Sequence, residues 1–287
     1  MRKKLISTAL GLFLFASFMM TSGLALVSNA QAADGVPKHL QQEWSFQGIF
    51  GTYDRNEVRR GSQIFFEICN GCHSLDMVSY RNLVEIGLDQ GFVTGLASEY
   101  EVQDGPNDEG DMFMRPARLS DRVVAPYDNE KASRFANGGS YPPDLSVITK
   151  ARVGGPDNLY ALMVSYEDPP EGFELGEGIY YNEYFHGHKI FMAPPLADEA
   201  VEYDDGTPMT LHQHARDITS FLSWAAEPEM EERKSLGIKV MLYLILMTFL
   251  LYLLKRRIWN RIHLAEHTHG PYEKEYKAGL DKYKNPG

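Results

Sequence analysis

Cysteine is almost absent from this chain: there are two in 287 residues, and both lie in the run Cys69-Asn70-Gly71-Cys72-His73. No third thiol remains for a disulfide framework or a four-thiolate metal site. Basic residues are also scarce through most of the chain. Positions 33–235 hold 35 Asp and Glu against 16 Lys and Arg, a formal net charge of −19. No nucleic-acid partner is expected.

The two thiols that are present sit two residues apart and are followed at once by an imidazole. That spacing is read as covalent attachment of a c-type haem: two thioether points for the porphyrin vinyls and a histidine that turns its ring onto the iron. Two alternatives share the C-x-x-C pair. A thioredoxin-type redox disulfide wants a preceding β-strand, and half of a zinc site wants further Cys or His at short spacing. Neither context surrounds Cys69 and Cys72.

Long apolar runs occur only near the ends. Arg2, Lys3 and Lys4 precede an apolar stretch from Leu5 to about Val27, then Ala30-Gln31-Ala32. This is the pattern of a secretory signal peptide over 1–32, with an N-terminal membrane anchor as the competing reading. Export fits the haem motif, since c-type haem is attached outside the cytoplasmic membrane in bacteria. Leu236 to Leu254 is apolar except for Lys239, the length of a bilayer-spanning helix, and Lys255-Arg256-Arg257 follows. From 255 to 287 there are eight Lys and Arg against four Asp and Glu. Positive residues stay cytoplasmic. The expected organisation is therefore a signal peptide (1–32), a periplasmic haem domain (33–235), a transmembrane helix (236–254) and a basic cytoplasmic tail (255–287).

Between these ends the pattern is helical with long loops. Asp54 or Asn56 can cap a helix whose apolar face is Val58, Gly61, Ile64, Phe65 and Ile68, and Gly61 would let a second helix come close. Met77 reads as packing. From Thr94 to Arg134 periodicity fails and acidic residues crowd, which suits either a solvated face or a docking role. Asn137 to Leu145 is an irregular turn, after which Asp144 or Ser146 can cap a short helix. Tyr160 to Tyr166 is a further helical stretch, and Val201 to Thr207 reads as a small hairpin around Asp205-Gly206. Thr210 to Ala226 forms the last helix of the body, with His212 and His214 on different faces. His186 and His188 are expected to face solvent.

The second informative stretch is Lys189-Ile190-Phe191-Met192-Ala193-Pro194-Pro195-Leu196. A high-potential c-type haem takes a methionine sulfur as second axial ligand. Met192 suits that role on a loop stiffened by Pro194 and Pro195, ahead of Met112, Met114, Met163 and Met209.

These residues together resemble the cytochrome c1 family, the haem subunit of the cytochrome bc1 complex (ubiquinol-cytochrome c reductase). The likeness rests on Arg59-Arg60-Gly61 before the haem motif, Tyr80-Arg81-Asn82-Leu83, Asp104-Gly105-Pro106-Asn107 and Met112-Phe113-Met114-Arg115-Pro116. It continues through Asn137-Gly138-Gly139, Pro142-Pro143-Asp144-Leu145-Ser146, Met192-Ala193-Pro194-Pro195-Leu196, Asp204-Asp205-Gly206-Thr207-Pro208, and Phe221-Leu222-Ser223-Trp224-Ala225-Ala226-Glu227-Pro228. The resemblance implies a mainly α, class I-like cytochrome c domain with long loops and one C-terminal transmembrane helix. It implies one covalent haem c on Cys69 and Cys72 with iron held by His73 and Met192, Arg152 near a propionate, and Asn137, Pro142 and Pro143 lining the pocket. Implied partners are a cytochrome b subunit, the Rieske iron-sulfur protein as donor and a c-type cytochrome as acceptor. The setting is a dimeric complex of the bacterial inner membrane, in which this chain is a redox subunit and no catalyst alone. A peroxidase-type haem enzyme and a free-standing membrane-tethered shuttle are the competing functions.

Overall fold

The computed structural model describes residues 40–267. The expected signal peptide and most of the basic tail lie outside them. In chain order the elements are α1 (Arg55–Glu67), a 3-10 turn (Cys69–Gly71), α2 (Asn82–Glu85), α3 (Gln90–Ser98), β1 (Glu101–Asp104), β2 (Phe113–Pro116), α4 (Glu130–Ala136), α5 (Ile148–Ala151), α6 (Pro156–Val164), β3 (Tyr180–Tyr181), β4 (Lys189–Ile190), α7 (Leu211–Ala226) and α8 (Met230–His267). The chain is mainly helical, with two short antiparallel pairs, β1 with β2 and β3 with β4.

The body is built on α1 against α7. The Asp54 carboxylate accepts from the Asn56 and Glu57 N–H groups and starts α1, while Thr210 Oγ1 accepts from the Gln213 N–H and starts α7. Val58, Gly61, Ile64 and Phe65 of α1 are buried. They meet the buried Ile218, Phe221, Leu222 and Ala225 of α7, with the Phe65 and Phe221 rings 5.7 Å apart. Gly61 is what permits the approach. A Cβ there would stand 2.1 Å from the Asp217 carbonyl oxygen and 2.6 Å from the Phe221 Cβ.

Beside that contact Arg60 reaches across in a bidentate pair, Nε and Nη2 donating to the two Asp217 oxygens at 2.8 and 2.9 Å, with Nη1 on Asp205 at 2.8 Å. The Asp217 side chain is fully buried. Such a pair does little net work when intact, but removing one partner strands a charge in the interior.

Several local expectations change. The stretch from 94 to 134 is not structureless: it carries the end of α3, the β1–β2 hairpin and the start of α4. Both strands are largely exposed, so no alternation of apolar and polar residues announced them. Asp205-Gly206 does form a tight turn, with the Thr207 N–H on Asp205 at 2.9 Å. No strand pair flanks it among the described residues: the Glu199 N–H donates to the Met209 carbonyl at 2.7 Å outside the turn, while the Tyr203 hydroxyl meets His214 and Asp205 meets Arg60. The helix after 146 has no side-chain cap, since Asp144 is engaged elsewhere. The helix expected from Tyr160 begins at Pro156, at the first helical position after Gly155. Met77 is exposed rather than packed, and His188 is half-buried, its ring stacked 5.7 Å from Tyr181.

Past Pro228, α8 runs without a break for 38 residues, about 57 Å at 1.5 Å per residue. Its most apolar window has a mean hydropathy of 2.2, and none of that window is buried. A core helix would be covered; this one is not.

Gly61→Ala should destabilise the body by about 1–3 kcal/mol through overpacking. Thermal unfolding of the detergent-solubilised chain would show it as a lowered Tm, and an unchanged Tm would refute the close α1–α7 contact.

Candidate functional site

Helix α1 delivers the haem motif. It ends at Ile68, and the next residues tighten into the 3-10 turn, with the Cys72 and His73 N–H groups both donating to the Cys69 carbonyl at 3.1 and 2.9 Å. This turn gathers the two thiols and the imidazole on one short piece of backbone. Cys69 is half-buried and Cys72 exposed, with no bond between them. Burial, reinforced by Cys72, pushes the Cys69 thiol up to about 12. A thioredoxin-type pair wants a preceding β-strand, and helix α1 leads into the motif instead. The zinc alternative lacks its ligands: among the described residues no group of three or more His, Cys, Asp or Glu could hold a metal.

His73 is oriented from the other side of the site. Its Nδ1 lies 2.8 Å from the Pro143 carbonyl oxygen. A carbonyl only accepts, so Nδ1 carries the proton and Nε2 is the free lone pair. Burial lowers the imidazole pKa, against the opposing pull of the Pro143 carbonyl and the Asp144 charge, which keeps the ring neutral at pH 7. A neutral imidazole with a fixed tautomer is the form that binds a metal.

A clasp that the sequence did not disclose holds Pro143 in place. One Asp144 oxygen accepts from Ser74 Oγ and from the Asp76 N–H, each at 2.8 Å, and the other accepts from the Ser146 N–H at 2.9 Å. The Leu145 N–H donates to the Ser74 carbonyl at 2.9 Å, and the Met77 N–H to Ser146 Oγ at 3.0 Å. Residues 73–77 and 143–146 are thereby laced together. The signal available in sequence was the pair of polar residues Asp144 and Ser146 after two prolines, with Ser74 next to the motif histidine.

The remaining expected residues stand on separate segments. Asn137 closes α4, its Nδ2 on the Ser133 carbonyl at 2.8 Å, and leads into Pro142. Arg152 follows α5 in extended backbone, exposed, with no partner for its guanidinium among the described residues. Met192 lies on a non-helical bend with its side chain half-buried. Its carbonyl accepts from the Tyr166 hydroxyl at 3.1 Å, β4 fixes the chain before it, and Pro194 and Pro195 stiffen the chain after it. Of the competing methionines, Met112 and Met114 are exposed on the hairpin, and Met163 and Met209 pack against the core.

Each of these segments also presents a large exposed apolar side chain: Phe135 before Asn137, Tyr141 before Pro142, Val153 after Arg152 and Phe191 before Met192. The paired thiols on one turn and the free Nε2 of His73 beside them are the donor set a covalently attached porphyrin needs, so the residues present fit that group. A crevice of about 640 Å³ lies beside the Met192 loop, lined by Met163, Tyr166, Leu175, Ile179, Pro194 and Leu196. Neither thiol nor His73 lines it, so it is not assigned to the haem.

Burial alone would raise the Asp144 carboxyl, but hydrogen bonds from the Asp76 N–H and from Ser146 and Ser74 outweigh it and hold the group below its usual range. A carboxylate held low stabilises the fold above its unfolded pKa and loses that effect as pH falls through the folded value. Asp144→Asn should therefore lower the unfolding free energy at pH 7 by about 1.5–3 kcal/mol. The difference should vanish under acid, below the usual carboxylate range, in denaturant titrations. A difference independent of pH would assign the effect to shape instead of charge.

The Cytochrome C1 family model matches residues 44–262. The chain is 51% identical over 221 residues to "Cytochrome c1 2, heme protein, mitochondrial" of Arabidopsis thaliana, covering 76% of this chain and 72% of that one. It is 44% identical over 255 residues to the cytochrome c1 of Rhodospirillum rubrum, covering 83% and 94%. It is 43% identical over 262 residues to the "Cytochrome b/c1" of Bradyrhizobium diazoefficiens, covering 84% of this chain and 38% of that longer protein. The clasped histidine, the paired thiols and a match over most of the described residues agree: the chain belongs to the cytochrome c1 family.

Proposed function

We propose that this chain is the c-type haem subunit of a cytochrome bc1 complex, accepting an electron from the Rieske iron-sulfur protein and passing it to a c-type cytochrome. The observation that carries the proposal is the hydrogen bond from His73 Nδ1 to the Pro143 carbonyl, which presents Nε2 to a metal one residue after the thiol pair. The relatives support the setting. The Arabidopsis protein is named a heme protein, and the Bradyrhizobium protein joins cytochromes b and c1 in one name, which favours a cytochrome b neighbour here.

In this reading Cys69 and Cys72 would hold one haem through thioethers, and His73 and Met192 would bind its iron. When bound, the haem would supply an iron able to take up and release one electron. The protein's part would be to hold those two side chains in place: the clasp fixes His73, while β4, Tyr166 and the two prolines fix the chain around Met192. Arg152 would meet a propionate, and Asn137, Pro142 and Pro143 would line the pocket. The signal peptide is removed and the body lies in the periplasm of a bacterial inner membrane. α8 crosses the membrane once, the basic tail remains in the cytoplasm, and the assembled complex is dimeric. The body's net charge of −19 over residues 33–235 steers a basic acceptor toward it.

A reduced-minus-oxidised spectrum of the detergent-purified chain, with the co-purifying subunits identified, tests the whole. A c-type haem together with a b-type cytochrome and an iron-sulfur subunit is the expected outcome. A colourless chain, or reduced protein that binds carbon monoxide at neutral pH, overturns it. Met192→Leu should lower the reduction potential, because the thioether favours the ferrous state. An unchanged potential and spectrum would move the ligand role to another methionine. Turnover with a basic cytochrome c should be faster at low ionic strength, and rates indifferent to salt would remove the steering argument.

A further inference from the structure

Residues 45–52 form a closed finger at the junction between the body and α8. Its base is tied by the Thr52 N–H to the Ser45 carbonyl at 3.1 Å, and the Gln47 N–H donates to the Trp44 carbonyl at 3.1 Å. The turn is too tight for a side chain at Gly51, where a Cβ would stand 2.0 Å from the Gln47 carbonyl oxygen. Trp44, Phe46 and Tyr53 are buried in the body, yet at the tip Ile49 is 69% and Phe50 82% exposed.

The finger is held against the end of α7 and the start of α8 by a series of contacts. The Tyr53 hydroxyl is shared between the Ser223 and Glu227 carbonyls at the end of α7, and the Tyr53 N–H donates to Glu231 of α8 at 2.8 Å. Arg55 pairs with Glu231 at 2.8 Å. Moving toward the tip, the Phe46 and Gly51 carbonyls both accept from Lys234 Nζ, at 2.7 and 2.9 Å. The base of the finger thus meets the end of α7 at Ser223 and Glu227 and the first turn of α8 at Glu231, its neck meets α8 at Lys234, and the tip is the part of the finger past that neck. Leu236, two residues after Lys234, opens the apolar run.

We propose that this tip is a second membrane contact, with Ile49 and Phe50 seated in the headgroup boundary of the bilayer beside α8. The inference rests on reading α8 as a membrane span. At about 1.5 Å per residue, Leu236–Leu254 covers about 28 Å, close to a hydrocarbon core of about 30 Å, so Lys234 stands at the edge of that core. A tip held at this level faces lipid. Gln47, Gly48, Ile49 and Phe50 carry no charge. Two side chains are also far short of the roughly 800 Å² per partner of a stable protein interface, whereas they suffice to add an interfacial foothold to an existing anchor.

The test uses the full, haem-loaded chain, purified with the subunits that travel with it and reconstituted into phosphatidylcholine vesicles. Cys69 and Cys72 are bonded to haem, so a new cysteine is the one labelled. Phe50→Cys, Leu246→Cys and Asp108→Cys each receive a polarity-sensitive fluorophore. Quenching is read with iodide in the water and with lipids brominated at shallow or deep chain positions. Position 50 should be quenched most by shallow brominated lipid and little by iodide, position 246 by deep brominated lipid, and position 108 by iodide alone. Position 50 quenched by iodide while 246 is quenched by lipid overturns the finger and spares the span. Position 50 shielded from both quenchers also overturns it, since a protein then covers the tip. Position 246 quenched by iodide would instead refute the span itself.

Discussion

The hydrogen bond between His73 Nδ1 and the Pro143 carbonyl is the contact on which the site depends. Alone it decides which ring nitrogen is available, and through the clasp it decides where that nitrogen is held. The histidine arrives from α1 and the carbonyl from a loop 70 residues later, so neither segment can place the ligand by itself. Asp144 joins them by accepting from both, one oxygen on Ser74 and the Asp76 N–H, the other on the Ser146 N–H. The carboxylate remains charged because its partners are donors, which makes these bonds stronger than neutral ones.

That arrangement sits on the α1–α7 contact. The motif follows directly from α1, so any slip of α1 against α7 would move the thiols and the imidazole together. Gly61 brings the backbones close, and Arg60 with Asp217 fixes the register beside it. The two devices differ in kind: one is steric and tolerates no added atom, the other is electrostatic and tolerates no missing partner.

The sequence disclosed most where chemistry is dense or spacing regular. Cys69, Cys72 and His73 are adjacent, the face of Val58, Gly61, Ile64 and Phe65 repeats at helical spacing, and the apolar run ending in Lys255-Arg256-Arg257 announces α8. It disclosed least where residues distant in the chain cooperate. Asp144 looked like a helix cap, and only the fold brings Ser74 and Asp76 within its reach. The β1–β2 hairpin escaped because Met112, Phe113 and Met114 all face outward, leaving no buried stripe to read. His188 was expected in water but stacks on Tyr181, a contact made by the β3–β4 pairing. The pairing of His73 with Met192 across one iron remains part of the proposed function, as nothing hydrogen-bonds the two loops among the described residues.

The junction at Tyr53, Glu231 and Lys234 bears on how the redox centre of the proposed function would be mounted. The first two turns of α8 are strapped to the body by hydrogen bonds from Tyr53 to Glu231 and from Lys234 to the Phe46 and Gly51 carbonyls, which braces the stalk against the globular part. In the proposed function, a redox centre mounted on such a post would keep one height above the bilayer, and its donor and acceptor would be the parts that approach this fixed station and withdraw.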